Sequence, residues 1–259
     1  MITPTPWPAE AIWEQVFPLL PDFTVEVLPE IDSSNSELMR RARAGQQEAT
    51  LLVAERQTQG RGRMGRVWQS QPGDSLTFSL SLSLAPQDWS GLSLAVGLSL
   101  AESLHPGVQL KWPNDLWFED RKIGGILVEA ASMAGRSQVV VGVGLNIRPR
   151  GADGLNTPPA ALTELLPDLS GPACLARVAL PLIQTLLTFE REGFAPLKGR
   201  FESRDALKGR KVHTSDDQMG EALGVGPTGA LRLQTDAGVQ EIHSAEISVR
   251  PFPVSDPKP

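Results

Sequence analysis

Gln57-Thr58-Gln59-Gly60-Arg61-Gly62-Arg63-Met64-Gly65-Arg66-Val67-Trp68 interleaves three glycines with three arginines and closes on a tryptophan. Glycine lets a backbone take positive φ and approach a ligand closely. Arginine presents a permanently charged planar fork suited to carboxylate or phosphate oxygens. A loop of this composition is equipped to wrap an anion, and a nucleotide suits it well. Gly60, Gly62 and Gly65 also satisfy G-x-G-x-x-G, the spacing of a dinucleotide-binding turn, but that turn needs a helix opening directly after it. Here Val67-Trp68-Gln69-Ser70-Gln71-Pro72-Gly73-Asp74 is turn-like and leads into Phe78-Ser79-Leu80-Ser81-Leu82-Ser83-Leu84, whose strict alternation reads as a half-buried strand. With no helix to receive a pyrophosphate, the dinucleotide reading fails, and an exposed basic loop between two strands is the plain alternative.

Outward from this run, Leu51-Leu52-Val53-Ala54-Glu55 reads as the strand that delivers the chain into the loop, and Val25 to Leu28 as another. Asp32-Ser33-Ser34-Asn35 precedes the helical pattern Glu37-Leu38-Met39-Arg40-Arg41-Ala42. Small polar residues there can cap the helix, present hydroxyl and amide groups to a ligand, or do both. Leu92 to Leu104 predicts a buried helix, and residues 173–192 an amphipathic one that Pro181 should kink or break. Strand-like pieces lie at 108–112, 126–129 and 139–147. After Asp205 the texture changes to short β-like runs (210–213, 222–225, 230–233, 242–243, 246–249) separated by Gly, Pro and Asp turns, which predicts a small all-β unit. The expected organisation is a proline-rich arm over 1–23, a main domain over 24–205, a small β domain over 206–252 and a disordered tail over 253–259.

Formal charge is −6, with 24 basic against 30 acidic residues, so the arginines at 56, 61, 63 and 66 form a local positive spot on an acidic chain. That suits a small anion better than a nucleic acid or an acidic membrane surface. The single cysteine, Cys174, excludes a disulfide framework and a cysteine zinc site, and its apolar setting reads as a buried structural thiol. His105, His213 and His243 are scattered, without metal-ligand spacing or a nucleophile partner. The start of the chain lacks a signal-peptide pattern, and no window approaches a run of 18 apolar residues, so no membrane helix is expected and a cytoplasmic location is the simplest reading.

Lys111-Trp112-Pro113-Asn114-Asp115 presents Asn114 and Asp115 at a turn past a strand end, and an ordinary Pro-Asn-Asp turn has the same sequence. Lys122 precedes Gly124-Gly125 and the run Ile126-Leu127-Val128-Glu129, and is either a ligand-facing ammonium or a solvated loop lysine. A carboxylate able to hold Mg²⁺ on phosphates, with cations to neutralise developing charge, is what nucleotide activation requires. Gly142-Val143-Gly144-Leu145-Asn146 places two glycines inside an apolar strand, a mark of a bulge or of close approach, and ends on an amide.

Taken in order and spacing, these five runs resemble the biotin protein ligases, or biotin–[acetyl-CoA-carboxylase] ligases, over about residues 25–252. The visible departure is Asp32-Ser33-Ser34-Asn35, where the family has D-S-T-N; Ser34 keeps the hydroxyl and loses a methyl. The resemblance implies an α+β fold: a mixed, mainly antiparallel sheet with flanking helices, of class II synthetase type, plus a small C-terminal SH3-like β-barrel. It implies that biotin and MgATP give biotinyl-5′-AMP, and that a lysine of a biotin carboxyl carrier protein then takes the biotinyl group. Ser33, Ser34, Asn35, Gln57, Gly60, Arg61, Lys122 and Gly125 would bind biotin. Arg63, Arg66, Trp68, Asn114, Lys122 and Asn146 would bind the nucleotide, with the Gly/Arg run as a closing loop. Lys122, Arg63 and Asp115 would be catalytic, and Asp115 would meet Mg²⁺ through ATP. The short stretch before residue 25 leaves no room for the winged-helix DNA-binding domain of some members, so no direct DNA binding is expected. Family members dimerise through sheet edges, which leaves monomer and homodimer both open. A lipoate–protein ligase and a non-catalytic biotin- or nucleotide-binding module are the competing readings.

Overall fold

A computed structural model describes residues 6–133, 136–151, 157–243 and 248–252. The proline-rich start is tied down: α1 (Ala9–Val16) buries Ile12 and Val16, four residues apart on one helix face. β1 (Thr24–Ile31) leads to α2 (Ser34–Arg43), and β2 (Thr50–Gln57) runs parallel to β1. After the Gly/Arg loop come β3 (Ser75–Leu84), α3 (Leu92–Leu104), and the short strands β4 (Gln109–Lys111) and β5 (Asp115–Phe118). The long hairpin β6 (Arg121–Met133) and β7 (Arg136–Asn146) completes a seven-stranded sheet ordered β1-β2-β3-β7-β6-β5-β4. Every pairing in it except β1–β2 is antiparallel, so the fold is the expected α+β type.

β3 is buried on both of its faces along most of its length, and that corrects its half-buried reading. Leu76, Phe78, Leu80, Leu82 and Leu84 enter the main core on the side of α3 and α4 (Gly171–Glu192). On the other face, Thr77, Ser79 and Ser81 are also buried. Part of that face lies under α2, whose Leu38 and Met39 pack on Leu52 and Val140. Alternation of apolar and polar residues reports two chemically different faces, and here the polar one meets hydrogen-bonding partners instead of water. α4 runs without interruption through Pro181. By length and composition α4 is the one helix among the described residues that could cross a membrane, yet its Leu175, Val178, Leu182 and Leu186 face the core.

After α5 (Lys198–Glu202) the chain pairs briefly with β4, through Leu110 N to Arg204 O and Ala206 N to Leu110 O. It then forms a second antiparallel sheet, ordered β11-β10-β9-β8-β12, from β8 (Lys211–Thr214), β9 (Met219–Val225), β10 (Leu231–Thr235), β11 (Gly238–Ile242) and β12 (Val249–Pro251). The expected strand residues Glu246 and Ile247, and the expected disordered tail over 253–259, lie outside the described residues. Trp112 Nε1 donates to Gly229 O at 3.0 Å and ties the second sheet to the first.

Cys174 is buried in α4, and burial pushes its thiol up to about 12. A thiol reagent applied to the native protein at pH 8 is expected to leave Cys174 unmodified, and to label it once denaturant is added. Rapid labelling of the native chain would contradict its buried, non-nucleophilic character.

Candidate active site

Cross-strand register builds the floor of the site. Thr77 pairs with Gly144, Gly144 with Gly125, Gly125 with Asp115, and Asp115 with Lys111. Directly opposed residues point to the same face of a sheet, so this row runs across β3, β7, β6, β5 and β4. A second row, Ser79–Gly142–Leu127, lies two residues along. Apart from Leu127, the side chains in these rows are small or polar, and α2 begins beside them. The result is a cavity of about 430 Å³ walled by the N-terminus of α2, the Gly/Arg loop, the β4–β5 turn and Ser248, Val249 and Arg250 from the second sheet.

The glycines keep this floor bare. A methyl on Gly142 would overlap the Asn35 carboxamide, and one on Gly144 would overlap the Trp68 indole. At Gly125 a methyl would lie 3.1 Å from Lys122 Nζ. The paired glycines therefore mark close approach of side chains, one of the two meanings read from the sequence.

One end of the cavity is a buried polar pocket. Ser33 caps α2, its side chain accepting from Ser36 N. The backbone N–H of Ser34 donates to Gln57 Oε1 at 2.7 Å, and its hydroxyl lies 2.7 Å from Ser79 Oγ. Ser79 Oγ donates to Asn35 Oδ1 at 2.6 Å. A serine hydroxyl has one proton, so with the Ser79 proton on Asn35 the Ser34–Ser79 bond takes its proton from Ser34, whose other acceptor is Gln57 Oε1 at 3.1 Å. Asn35 Nδ2 then donates to Glu129 Oε2 at 2.9 Å. Fixed donors and acceptors of this kind, facing an enclosed space, suit an amide- or urea-like ligand.

The Gly/Arg run crosses the cavity as a strap. Its two legs pair through Gly62 N to Arg66 O and Trp68 N to Gly60 O, around a single 3₁₀ turn at Arg63–Gly65 where Met64 and Gly65 adopt φ of 56° and 69°. Gly60 does not line the cavity; a side chain there would collide with Trp68 O, so it serves the closure of the strap. The three arginines reach three different walls. Arg61 bonds Ser36 Oγ at 3.1 Å and pairs with Glu129 at 3.3 Å, Arg63 donates to Asn114 Oδ1 at 2.7 Å, and Arg66 donates to Ser248 Oγ at 2.8 Å. Burial pulls the Arg63 guanidinium below the ordinary arginine range, with Asp115 opposing. Trp68 is held at Thr77 Oγ1 and has the Arg150 guanidinium 5.2 Å over its ring.

Lys122 reaches this face through an irregularity. Asp115 pairs with Gly125 and Leu116 with Gly124, but Trp117 pairs with Lys122, so Ile123 is an extra residue. Strict alternation from Gly125 would turn Lys122 into the core; the bulge turns it into the cavity. There its ammonium binds Asp115 Oδ1 at 2.6 Å, while Lys111 Nζ lies 3.7 Å from Asp115 Oδ2. Burial opposes the Asp115 charge, but Lys122 and Lys111 outweigh it and hold the carboxyl below its ordinary range.

Two sequence expectations change in this setting. Asn146 is buried outside the cavity lining, and its amide donates to Lys122 O at 3.1 Å and Ala160 O at 3.0 Å, so it positions the Lys122 backbone where a nucleotide contact was expected. The Asp115 carboxylate faces two ammonium groups, and no group of three His, Cys, Asp or Glu among the described residues could hold a metal. The expected Asp115–Mg²⁺ contact therefore does not fit as a metal site made by the protein. Ser33, Ser34, Asn35, Gln57, Arg61, Arg63, Arg66, Trp68, Asn114, Asp115, Lys122 and Gly125 all line the one cavity. Missed in the sequence were Thr77 and Ser79, whose alternation looked solvent-facing, and Lys111, Arg150 and Arg250. For the last two the sequence carries no motif.

Residues 28–146 match the Biotin/lipoate A/B protein ligase family. The chain is 35% identical over 249 residues to the bifunctional ligase/repressor BirA of Escherichia coli strain K12, covering 92% of this chain and 77% of that one. It is 30% identical to a biotin–[acetyl-CoA-carboxylase] ligase of Paracoccus denitrificans, covering 85% of this chain and 98% of the relative. Among solved structures, the biotin protein ligase of Aquifex aeolicus in complex with biotin and ATP superposes with a TM-score of 0.76 at 32% identity, covering 88% of this chain and 99% of that one. A polar pocket and a cationic strap on one sheet face, in a chain with these relatives, place the protein in the biotin protein ligase family.

Proposed function

We propose that this chain joins biotin to ATP as biotinyl-5′-AMP and transfers the biotinyl group to a lysine of a biotin carboxyl carrier protein. The observation that carries this reading is the continuity of the floor. Gly142 seats the Asn35 pocket and Gly144 seats Trp68, with the Lys122–Asp115 pair beside Gly125. An elongated acid lying along these rows would place its polar ring among Ser34, Asn35, Gln57 and Ser79, and its carboxylate toward Lys122. A nucleotide would take the other end, under Arg63, Arg66 and Trp68.

In the first step a biotin carboxylate oxygen attacks the α-phosphorus of ATP, the P–O bond to the β-phosphate breaks, and pyrophosphate leaves with the electron pair. Lys122 bridges carboxylate and α-phosphate, and this lowers their repulsion as they approach. In the second step the carrier lysine amine attacks the biotinyl carbonyl, AMP departs with the electron pair of the broken C–O bond, and the amine loses a proton. The protein supplies position and charge and no covalent nucleophile. Mg²⁺ accompanies ATP as part of the substrate. Arg61, Arg63 and Arg66 keep the strap closed over the intermediate, each through a different wall.

Biotin-dependent ATP–pyrophosphate exchange, with mass analysis of a carrier domain incubated with biotin and MgATP, tests the activity directly; a carrier left unmodified would refute it. Lys122→Ala is expected to lower exchange by about a hundredfold or more, the scale of losing one electrostatic stabiliser. Arg63→Gly removes the bond to Asn114 and is expected to release the adenylate early, read as biotinylation of bystander proteins. Gly142→Ala pushes Asn35 from Ser79 and Glu129, and is expected to weaken biotin binding by about 1–3 kcal/mol, measured by titration calorimetry. Unchanged affinity there would remove Asn35 from the biotin pocket.

A further inference from the structure

The five-strand row ends on Lys111, a member of the K-W-P-N-D run without a task in the scheme above. Its side chain is buried, lies against the Trp117 ring at 5.0 Å, and lines the cavity. One carboxylate, Asp115, thus bridges two ammonium groups: Lys122 on Oδ1 and Lys111 on Oδ2. The two lysines are not equivalent. The Lys122 side chain is 30% exposed and Lys111 only 9%, so Lys122 has room to move and Lys111 does not. Burial pulls the Lys111 ammonium below the ordinary lysine range against the attraction of Asp115. Holding such a charge in the interior is unfavourable unless it stays paired.

We propose that Lys111 is a positioning residue, the standing counter-charge that lets Lys122 leave Asp115 for the substrate. The inference rests on the assignment of Lys122 to the reacting carboxylate and phosphate. When Lys122 turns from Asp115 Oδ1 toward those oxygens, the carboxylate loses its closest cation as a polyanion arrives. Without Lys111 that buried carboxylate would keep only the weaker attraction of Arg63, would repel the α-phosphate, and would hold Lys122 back instead. With Lys111 fixed across the strand at Oδ2, Asp115 remains neutralised through the step.

The test is a double-mutant cycle read by biotin-dependent ATP–pyrophosphate exchange. Lys111→Met is expected to lower kcat by about tenfold or more, with KM for biotin within about threefold of wild type. Adding Asp115→Asn removes the carboxylate that Lys111 serves and is expected to restore most of the lost kcat. Lys111→Gln, alone and with Asp115→Asn, runs in parallel to keep a polar head at the buried position and is expected to show the same loss and rescue. Equilibrium biotin binding by each variant confirms an assembled site. A double variant no better than Lys111→Met, or a loss confined to KM for ATP, would overturn the counter-charge role and make Lys111 a direct phosphate ligand. Absence of exchange in the wild-type chain would instead refute the ligase reading beneath it.

Discussion

Bare sheet surface is the constraint on which the site depends. A seven-stranded sheet normally covers both faces with side chains, and here α3 and α4 cover one face while α2 covers part of the other. Where α2 begins, the strands carry Thr77, Ser79, Gly142, Gly144 and Gly125. None can fill the space, and Asn35 and Trp68 press directly onto the backbone. A cavity is disfavoured in a protein interior, because lining atoms lose their packing partners. This one is walled by polar groups bonded to one another, which fix Ser34, Asn35 and Gln57 above the floor. The same rows place Asp115 and Lys111 at one end and the hydroxyls at the other.

Charge is distributed in opposition to the chain as a whole. The protein carries a net −6, yet among the described residues the cavity is lined by Arg61, Arg63, Arg66, Arg150, Arg250, Lys111 and Lys122 against a single carboxylate, Asp115. Like charges so close repel one another, and several of these cations are held by neutral acceptors such as Asn114 and Ser248. An anionic substrate relieves that repulsion, and a partly enclosed, low-dielectric space strengthens the attraction. The second sheet takes part through Ser248 and Arg250, so the cavity is complete only when both sheets are present.

Legibility in the sequence followed the range of each interaction. Most strands and helices and the cap at Ser33 come from local periodicity and local hydrogen bonding, and they were readable, whereas β5 and the first five residues of β6 read as turn and loop. The Gly/Arg run was readable as a glycine-hinged cationic loop, because composition alone sets its freedom and charge. Ser79 was not, since nothing local tells whether the polar side of a strand meets water or a helix N-terminus. Asn146 looked like a ligand contact, yet its donors lie on Lys122 O and Ala160 O, partners set by how β7 and the segment at 158–160 pack on β6.

What the sequence determined by itself was the chemical inventory: the arginines and glycines of residues 57–68, the K-W-P-N-D run, Lys122 with its paired glycines, and the resemblance they carry together. Which way each one points was decided by the tertiary structure. A single extra residue at Ile123 reverses the facing of Lys122, and register alone lines up Thr77, Gly144, Gly125, Asp115 and Lys111 across five strands. Side-chain facing in a sheet has a period of two, so a shift of one residue moves a functional group from core to cavity. That shift is fixed by non-local pairing, and no local pattern in the chain encodes it.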